Sequence, residues 1–568
     1  MVRSTLRDLA SVLRRDALVL LWFTALALMA MLPVLPRPRE LILGELGDNV
    51  HYAYMAGWSA QALLLGQSPF VDPRLNYPDA LPLASNDWPY VSYLLVAPAT
   101  LALGPVFGYN LAIFLSHLLS GYFTYLWAQR LTGHRGAALF AGTAFMLTPF
   151  RMLRSLGHAN IVTTQMLPIF FWALDHTLHT RVQRERSLWL LGGATALLAS
   201  SSQYLLLMSL VCGALYALYT IFPHFRFLQV HGWRIAVSVL GGALVGALPT
   251  LSVLGSGTFT PFAIGRTRIW SADPLNFVLP SSMHPLWGAW VEQMRPEPYA
   301  GEKTLYVSLV ALLLAGIGFG ALLREPAGRR RALVWGATAL SALVFALGTD
   351  LWINNEPLQR NDPFWLPAYY LGHLPGLGMM RVWSRFGIIT ILFVAMFAAF
   401  GLRYLMNRTP HRGKQVLIAS LLMGLLLIDL LPGRLPAATL VPRGIDQWLA
   451  AQEGDFAVAF LPVDKPMIND LAIFGSLFHA KQMPAYMHAA HQPRAYQDFA
   501  AMALDFPDQR SLDYFAWRRF TYLILDTSQY NGWRAPEWAS VEARLAQFPE
   551  LEQVAEIDSF VVFAFSGQ

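Results

Sequence analysis

The sequence predicts an α-helical polytopic membrane protein with about eleven transmembrane helices and a C-terminal extracytoplasmic α/β domain. Three observations carry this. Of the 568 residues, 55% are hydrophobic and only 13% charged, against roughly 25% charged in a soluble domain. The apolar residues come in blocks of the length that a bilayer requires, roughly 20 residues, and the mean hydropathy is +0.41. The basic residues lie between these blocks, where they set topology, so the net charge of +6 signals a lipid bilayer as partner and no nucleic acid. The only cysteine, Cys212, sits inside an apolar block. It makes no intrachain disulfide, so an external domain folds on core packing alone.

The spans follow in order. Arg3, Arg7, Arg14 and Arg15 place the N-terminus in the cytoplasm. The apolar run 17–35 is followed by Pro36 and Pro38 rather than a small-x-small site, so it is an uncleaved first helix and not a signal peptide. A long outer loop, 36–106, holds a short apolar stretch, 91–103, interrupted by Pro98. Runs of about 10–14 residues are more often interfacial than spanning. With that stretch kept outside, helix 2 (107–128) runs inward and puts Arg130, His134 and Arg135 in the cytoplasm. Helix 3 (137–149), the weakest span, exits to an outer loop 150–160, and helix 4 (161–179) returns to Arg181, Arg184 and Arg186. Helices 5 and 6 (188–201, 204–222) lead to an inner loop with Arg226 and Arg234. Helix 7 (235–254), outer loop 255–303 and helix 8 (304–323) lead to Arg324 and Arg329, Arg330, Arg331. Helix 9 (332–348), outer loop 349–384, helix 10 (386–405) and helix 11 (415–432) complete the membrane domain, 1–435.

From Pro436 the composition turns mixed, and 436–568 has no spanning block. Runs 456–461, 522–526 and 560–565 have strand composition. Residues 537–547, with Val541 and Leu545 on one face, have helical periodicity.

Polar groups beside hydrocarbon are the first place to look for chemistry. The first cluster is Asp48, His51 and Tyr52 after helix 1, with Asp48 expected as a helix N-cap. The second is Arg151, Arg154 and His158 in an outer loop, against the positive-inside bias. An anionic partner such as a phosphate and anchoring to lipid headgroups both account for it. The third is Arg381 and Arg385 before helix 10, on one face if the segment is helical. Asp87, beside Trp88 and Tyr90, and Glu302, at the mouth of helix 8, are further acids. His479, His488 and His491 in the tail lack the second pair that a metal site needs. No Walker loop, Gly-rich dinucleotide turn or His-Glu-x-x-His occurs.

The order of these features resembles the GT-C superfamily of membrane glycosyltransferases. The matching stretches are Gly47-Asp48 with Trp58, Tyr109-Asn110-Leu111, Arg130-Leu131-Thr132-Gly133 and Thr148-Pro149-Phe150-Arg151. They continue with Gly157-His158, Pro280-Ser281 with His284-Pro285, Glu302 with Tyr306, and the run 381–386. The resemblance implies a bacterial cytoplasmic-membrane glycosyltransferase, hexosyl- or pentosyl-, with a polyprenyl-phosphate-linked sugar donor and a glycan, lipid or protein acceptor. It implies Asp48 as catalytic base, with Arg151, Arg154, His158, Arg381 and Arg385 around the phosphate and His51, Tyr52, Asp87 and Glu302 around the substrates. No cofactor is required. Asp48-Asn49 is not an acidic pair, so a divalent metal, though compatible with the chemistry, is not indicated. A lipid or glycan transporter, a polysaccharide polymerase or ligase, and a non-catalytic glycan-binding protein are the competing readings.

Overall fold

The computed structural model describes residues 15–180, 184–251, 264–296, 300–359, 364–374, 376–463, 465–487 and 492–565. Arg3, Arg7, Arg14, Arg181, His488 and His491 lie outside them. The N-terminal three quarters is helical: α1 (Ala17–Ala30), α2 (Asp48–Leu64), α3 (Tyr90–Leu103), α4 (Pro105–Thr132), α5 (Arg135–Met146) and α6 (Pro149–Arg154). Then come α7 (Met166–His179), α8 (Arg184–Ser201), α9 (Gln203–Ile221), α10 (Arg226–Gly246), α11 (Leu309–Arg324), α12 (Pro326–Ala346), α13 (Gly387–Arg408) and α14 (Arg412–Asp429). Among the described residues, Pro105–Thr132, Gln203–Ile221 and Trp383–Arg408 are long and apolar enough to cross a membrane. Shorter apolar helices are Ala17–Ala30, Tyr90–Leu103 and Leu309–Arg324.

Aromatic side chains set the bundle core. Phe393 of α13 stands 6.1 Å from Trp127 of α4, 5.2 Å from Phe171 of α7, 6.2 Å from Tyr216 of α9 and 5.8 Å from Trp335 of α12, centroid to centroid. Five helices therefore meet on one ring, in the edge and offset geometries that aromatic pairs favour. α11 and α13 cross where Gly318 faces Gly401. A Cβ on either would lie 2.0 Å or less from a backbone oxygen of the other helix, so only glycine permits this approach.

Several helix boundaries differ from the sequence reading: the first helix ends at Ala30 rather than 35, and the helix expected over 235–254 is α10, which ends at Gly246. Arg226 and Arg234, expected in an inner loop, lie within α10, and Arg329, Arg330 and Arg331 lie in the first turns of α12. Arginine is a good helix former, so a basic flank extends a helix beyond its apolar block. The expected helix 161–179 is broken into a short turn, Ala159–Val162, and α7.

A short antiparallel pair, β1 (Leu41–Leu43) with β2 (Ala437–Thr439), ties the first loop to the start of the C-terminal unit. That unit holds α15 (Gly444–Ala451), β3 (Ala457–Leu461), α16 (Pro466–His479), α17 (Arg494–Ala503), α18 (Gln509–Trp517), β4 (Phe520–Asp526), α19 (Trp538–Leu545), β5 (Leu551–Ile557) and β6 (Phe560–Phe565). The strand order is β3-β4-β6-β5, with β3 parallel to β4 and the other neighbours antiparallel. α16 packs on α2: Leu477 covers Gly57, and its carbonyl accepts from Gln61 Nε2 at 2.8 Å. Arg74, paired with Asp72 at 2.7 Å, donates to the Ser476 carbonyl at 2.9 Å.

Candidate functional site

The site begins at the turn from β1 into α2. Gly44 adopts φ +92°, open to glycine without strain, and passes so close to the Leu156 carbonyl that a Cβ would meet it at 2.1 Å. Gly47 is the N-cap of α2 and Asp48 its first residue, with no side chain capping this end. The expectation of Asp48 as N-cap is thus corrected. The local hydrogen bonding falls to Asn49, whose Oδ1 accepts from Gly47 N at 2.9 Å. Its Nδ2 donates to the carbonyls of Leu43, at 2.7 Å, and Glu45, at 2.9 Å. An amide both donates and accepts, whereas a carboxylate only accepts, so the loop carbonyls take the amide. Asn49 is fully buried, and the Asp48 side chain is left 65% exposed.

Four other predicted residues converge on Asp48. His158 Nε2 lies 3.7 Å from Asp48 Oδ2 and 3.6 Å from Glu302 Oε1. Glu302 receives a two-point fork from Arg385, Nη2 to Oε1 at 2.7 Å and Nε to Oε2 at 3.1 Å. Arg154 Nη1 reaches the same Oε1 at 2.5 Å. Ser384 Oγ anchors the Glu302 carbonyl at 2.9 Å. Glu302, Arg154 and Arg385 are all buried, while the His158 side chain is 31% exposed. Burial pushes the Glu302 carboxyl up, but Arg385 and Arg154 more than reverse this and hold it well below the usual carboxylate range. Burial, then Arg154 and Arg385, drives the His158 imidazole down to about 3 against the pull of Glu302. His158 is therefore neutral at physiological pH. Two guanidinium groups against one carboxylate leave the buried layer with one net positive charge, behind an exposed acid.

Tyr52, one turn beyond Asp48, donates to Asn160 Oδ1 at 2.8 Å and to the Asp87 carbonyl at 3.2 Å. The Asp87 carboxylate accepts from Asn160 Nδ2, Ser202 Oγ and the Gln203 amide at 2.8–2.9 Å. It thus holds the N-terminus of α9, where the helix dipole favours an anion, and links that helix through Asn160 to α2. Arg381 lies over the Trp270 ring, 5.3 Å from its centroid. The segment before α13 is a 3₁₀ turn over Trp383–Phe386 preceded by extended backbone, so Arg381 and Arg385 do not share an α-helical face.

Two predicted residues lie elsewhere. His51 Nε2 meets Asp470 Oδ1 of α16 at 2.7 Å. Arg151 is fully buried against Ser120 Oγ and Thr164 Oγ1, with the Ser116 carbonyl at 3.1 Å. Sequence reasoning missed Asn160 and Tyr204. The Tyr204 hydroxyl accepts from the Val382 amide at 2.6 Å, and its ring lies 4.7 Å from the Arg385 guanidinium. Nothing local marked Tyr204, although Asn160 stands two residues after His158. His479 Nδ1 accepts from the Lys481 amide at 3.0 Å inside the C-terminal unit.

An exposed carboxylate beside a neutral imidazole, in front of a cationic layer, suits proton removal next to a developing anion. Among solved structures, the arabinofuranosyltransferase AftD from Mycobacteria is similar, with TM-score 0.56 and 13% identity, over 98% of this chain and 40% of AftD. The chain thus spans about two fifths of AftD's length. ArnT from Cupriavidus metallidurans, solved bound to undecaprenyl phosphate, is similar with TM-score 0.50 and 15% identity, over 96% of this chain and 97% of ArnT. The chain shares the GT-C fold of these membrane proteins. A comparison with curated proteins gives no match. A family model described as "Domain of unknown function (DUF6311)" matches residues 17–431, well over half of the 568 residues, and the chain belongs to that family.

Proposed function

We propose that this protein is a membrane glycosyltransferase that moves a sugar from a polyprenyl-phosphate donor to an acceptor on the outer face of a bacterial cytoplasmic membrane. The observation that carries the reading is the exposed Asp48 carboxylate, 3.7 Å from His158 and backed by Arg154, Arg385 and Glu302. Asp48 takes the proton of the acceptor hydroxyl as its oxygen bonds to the anomeric carbon, and the bond to the lipid phosphate breaks. The positive field of Arg385, Arg154 and Arg381 stabilises the departing phosphate. His158, neutral, stands between the two carboxylates, its Nε2 3.7 Å from Asp48 and 3.6 Å from Glu302, while Arg154 Nη1 faces its Nδ1 at 3.5 Å. This scheme requires no metal. The undecaprenyl phosphate bound by ArnT supports a lipid phosphate as donor carrier.

The basic flanks of the apolar blocks support eleven spans with the N-terminus in the cytoplasm. They leave Asp48 and residues 436–568 outside. On this reading the membrane domain, 1–435, carries the chemistry and the external α/β domain docks the acceptor.

The test is a host lacking the gene, restored with wild type or Asp48→Asn at equal membrane abundance, with lipids and surface glycans profiled by mass spectrometry. Wild type alone should restore the missing glycan and clear an accumulated polyprenyl-phosphate sugar. Full restoration by Asp48→Asn would overturn the proposal.

A further inference from the structure

A second cationic feature lies at the opposite end of the bundle. α9 starts at Gln203, beside Asp87 of the candidate site, and ends at Ile221. At 1.5 Å per residue its far end is about 28 Å away. There the C-terminal ends of α7 and α9 meet the start of α12 around two adjoining cavities that share Arg330 and Val334. The inner one, about 240 Å³, is lined by Asp175, His179, Tyr216, Arg330 and Arg331. The outer one, about 480 Å³, is an open groove lined by Tyr219, Phe222, Arg329, Arg330, Leu333 and Ala337.

The groove has one cationic end and one apolar length. Arg329, Leu333 and Ala337 follow at four-residue spacing, so they form one stripe of α12. That stripe runs about 12 Å from charge to hydrocarbon. Phe222 and Leu333 are 62% and 54% exposed. Arg330 donates to the Thr220 and Phe222 carbonyls, at 2.5 and 2.6 Å, which holds its charge at the rim. Asp175 lines the inner cavity and not the groove, and its carboxylate accepts from the Tyr216 hydroxyl at 2.6 Å and lies 3.2 Å from His179.

We propose that this groove binds an anionic phospholipid of the adjacent leaflet. Its phosphodiester sits against Arg329 and Arg330, and one acyl chain lies along Leu333 and Ala337 opposite Tyr219 and Phe222. A soluble phosphate would use the arginines and leave the apolar stripe without purpose. A zwitterionic lipid offers the same phosphodiester but brings its headgroup cation beside Arg329 and Arg330, where like charges repel. An anionic lipid matches both, and basic pockets between membrane helices are built for such headgroups. The groove volume falls within the range of about 300–1,000 Å³ usual for small-molecule sites. This site is separate from Asp48 and stands whether or not the transferase reading does.

The test uses the full chain in detergent, stripped of native lipid, titrated with phosphatidylglycerol or with phosphatidylcholine of the same chains. Glycerol 1-phosphate serves as a headgroup alone, and native mass spectrometry and thermal melting are the readouts. Wild type should retain one phosphatidylglycerol under activation that strips phosphatidylcholine, and its Tm should rise with phosphatidylglycerol only. Arg329→Gln, at an exposed position, should weaken the apparent affinity about fivefold, the worth of one basic residue at an anionic surface. Ala337→Trp should block the groove and remove the retained lipid with all charges intact. If that variant does not fold, Leu333→Gln tests the same wall. Equal retention of both lipids overturns the proposal, as does a full shift with glycerol 1-phosphate. Unchanged phosphatidylglycerol binding in Arg329→Gln and in the wall variant overturns it too.

Discussion

Glu302 and Arg385, 83 positions apart, are joined by two hydrogen bonds of 2.7 and 3.1 Å in a layer from which water is nearly excluded. Arg154 shares the same carboxylate, so Glu302 is the one negative charge between two buried cations. Removing it leaves both guanidinium groups uncompensated, and breaking a buried pair on one side costs about 3–5 kcal/mol. Glu302→Gln, nearly isosteric, should therefore melt well below wild type. Arg385→Lys keeps the charge and loses the fork, so it should fall less. Equal melting of Glu302→Gln and wild type would mean that the pair adds nothing to the fold.

Asn49 pins the turn that leads into Asp48, through the Gly47 amide and the Leu43 and Glu45 carbonyls. Its amide donates to two carbonyls that a carboxylate would repel. Asn49→Asp, which creates an acidic pair, should destabilise the chain by about 1–3 kcal/mol, the desolvation penalty of unsatisfied buried groups. It should also lower transfer activity without adding a metal requirement. Melting curves, and transfer assays with and without a chelator and added divalent metal, check both parts. An active, metal-dependent Asn49→Asp enzyme would instead place residue 49 within a metal site.

Local pattern and long-range partnership were not equally legible in the sequence. The apolar blocks mark where helices lie, because length and composition are local properties, but helix ends shift by up to nine residues, as where Arg226 starts α10. In the sequence Arg154 and His158 stand out against the positive-inside bias, Arg385 as half of a guanidinium pair, Asp48 as a helix start and Glu302 as a further loop acid, and the five meet in space. Arg151 and Arg154, one helical turn apart, were indistinguishable in sequence. The fold sends one to Ser120 and Thr164 and the other to Glu302. His51 was grouped with Asp48 by helical spacing, yet its partner Asp470 is 419 positions away. β5 was missed because most of its residues are exposed, so no alternation of apolar and polar residues betrays an edge strand.

The His51–Asp470 contact links the helix that begins with Asp48 to the C-terminal unit. Both side chains are largely buried, at 15% and 10% exposure, and Asn469 Nδ2 also donates to the same Asp470 oxygen at 3.1 Å. His51→Ala, Asp470→Ala and the double variant should be non-additive in melting, with a coupling within the range of about 0.5–3 kcal/mol seen for contacting residues. Hydrogen exchange should speed up at the start of α2 in each single variant. Strict additivity would mean that the two residues act independently on stability.

His158 offers a test of the electrostatics through pH. Its imidazole titrates near 6.5 when the chain is unfolded, but burial beside Arg154 and Arg385 lowers it to about 3 in the fold. Between those values the unfolded chain binds a proton that the folded chain refuses, so this residue removes stability as pH falls from about 6.5 towards 3. Above that window it contributes no pH dependence. His158→Gln cannot take the proton in either state. The Tm of wild type relative to His158→Gln should be constant from pH 8 to 7 and then decline steadily to pH 4. A difference that does not vary with pH would mean that His158 keeps an ordinary affinity for its proton in the fold. A difference that rises on acidification would mean that it is charged there and paired with Asp48 and Glu302, and the positive layer behind the acid would then be stronger than the neutral imidazole implies.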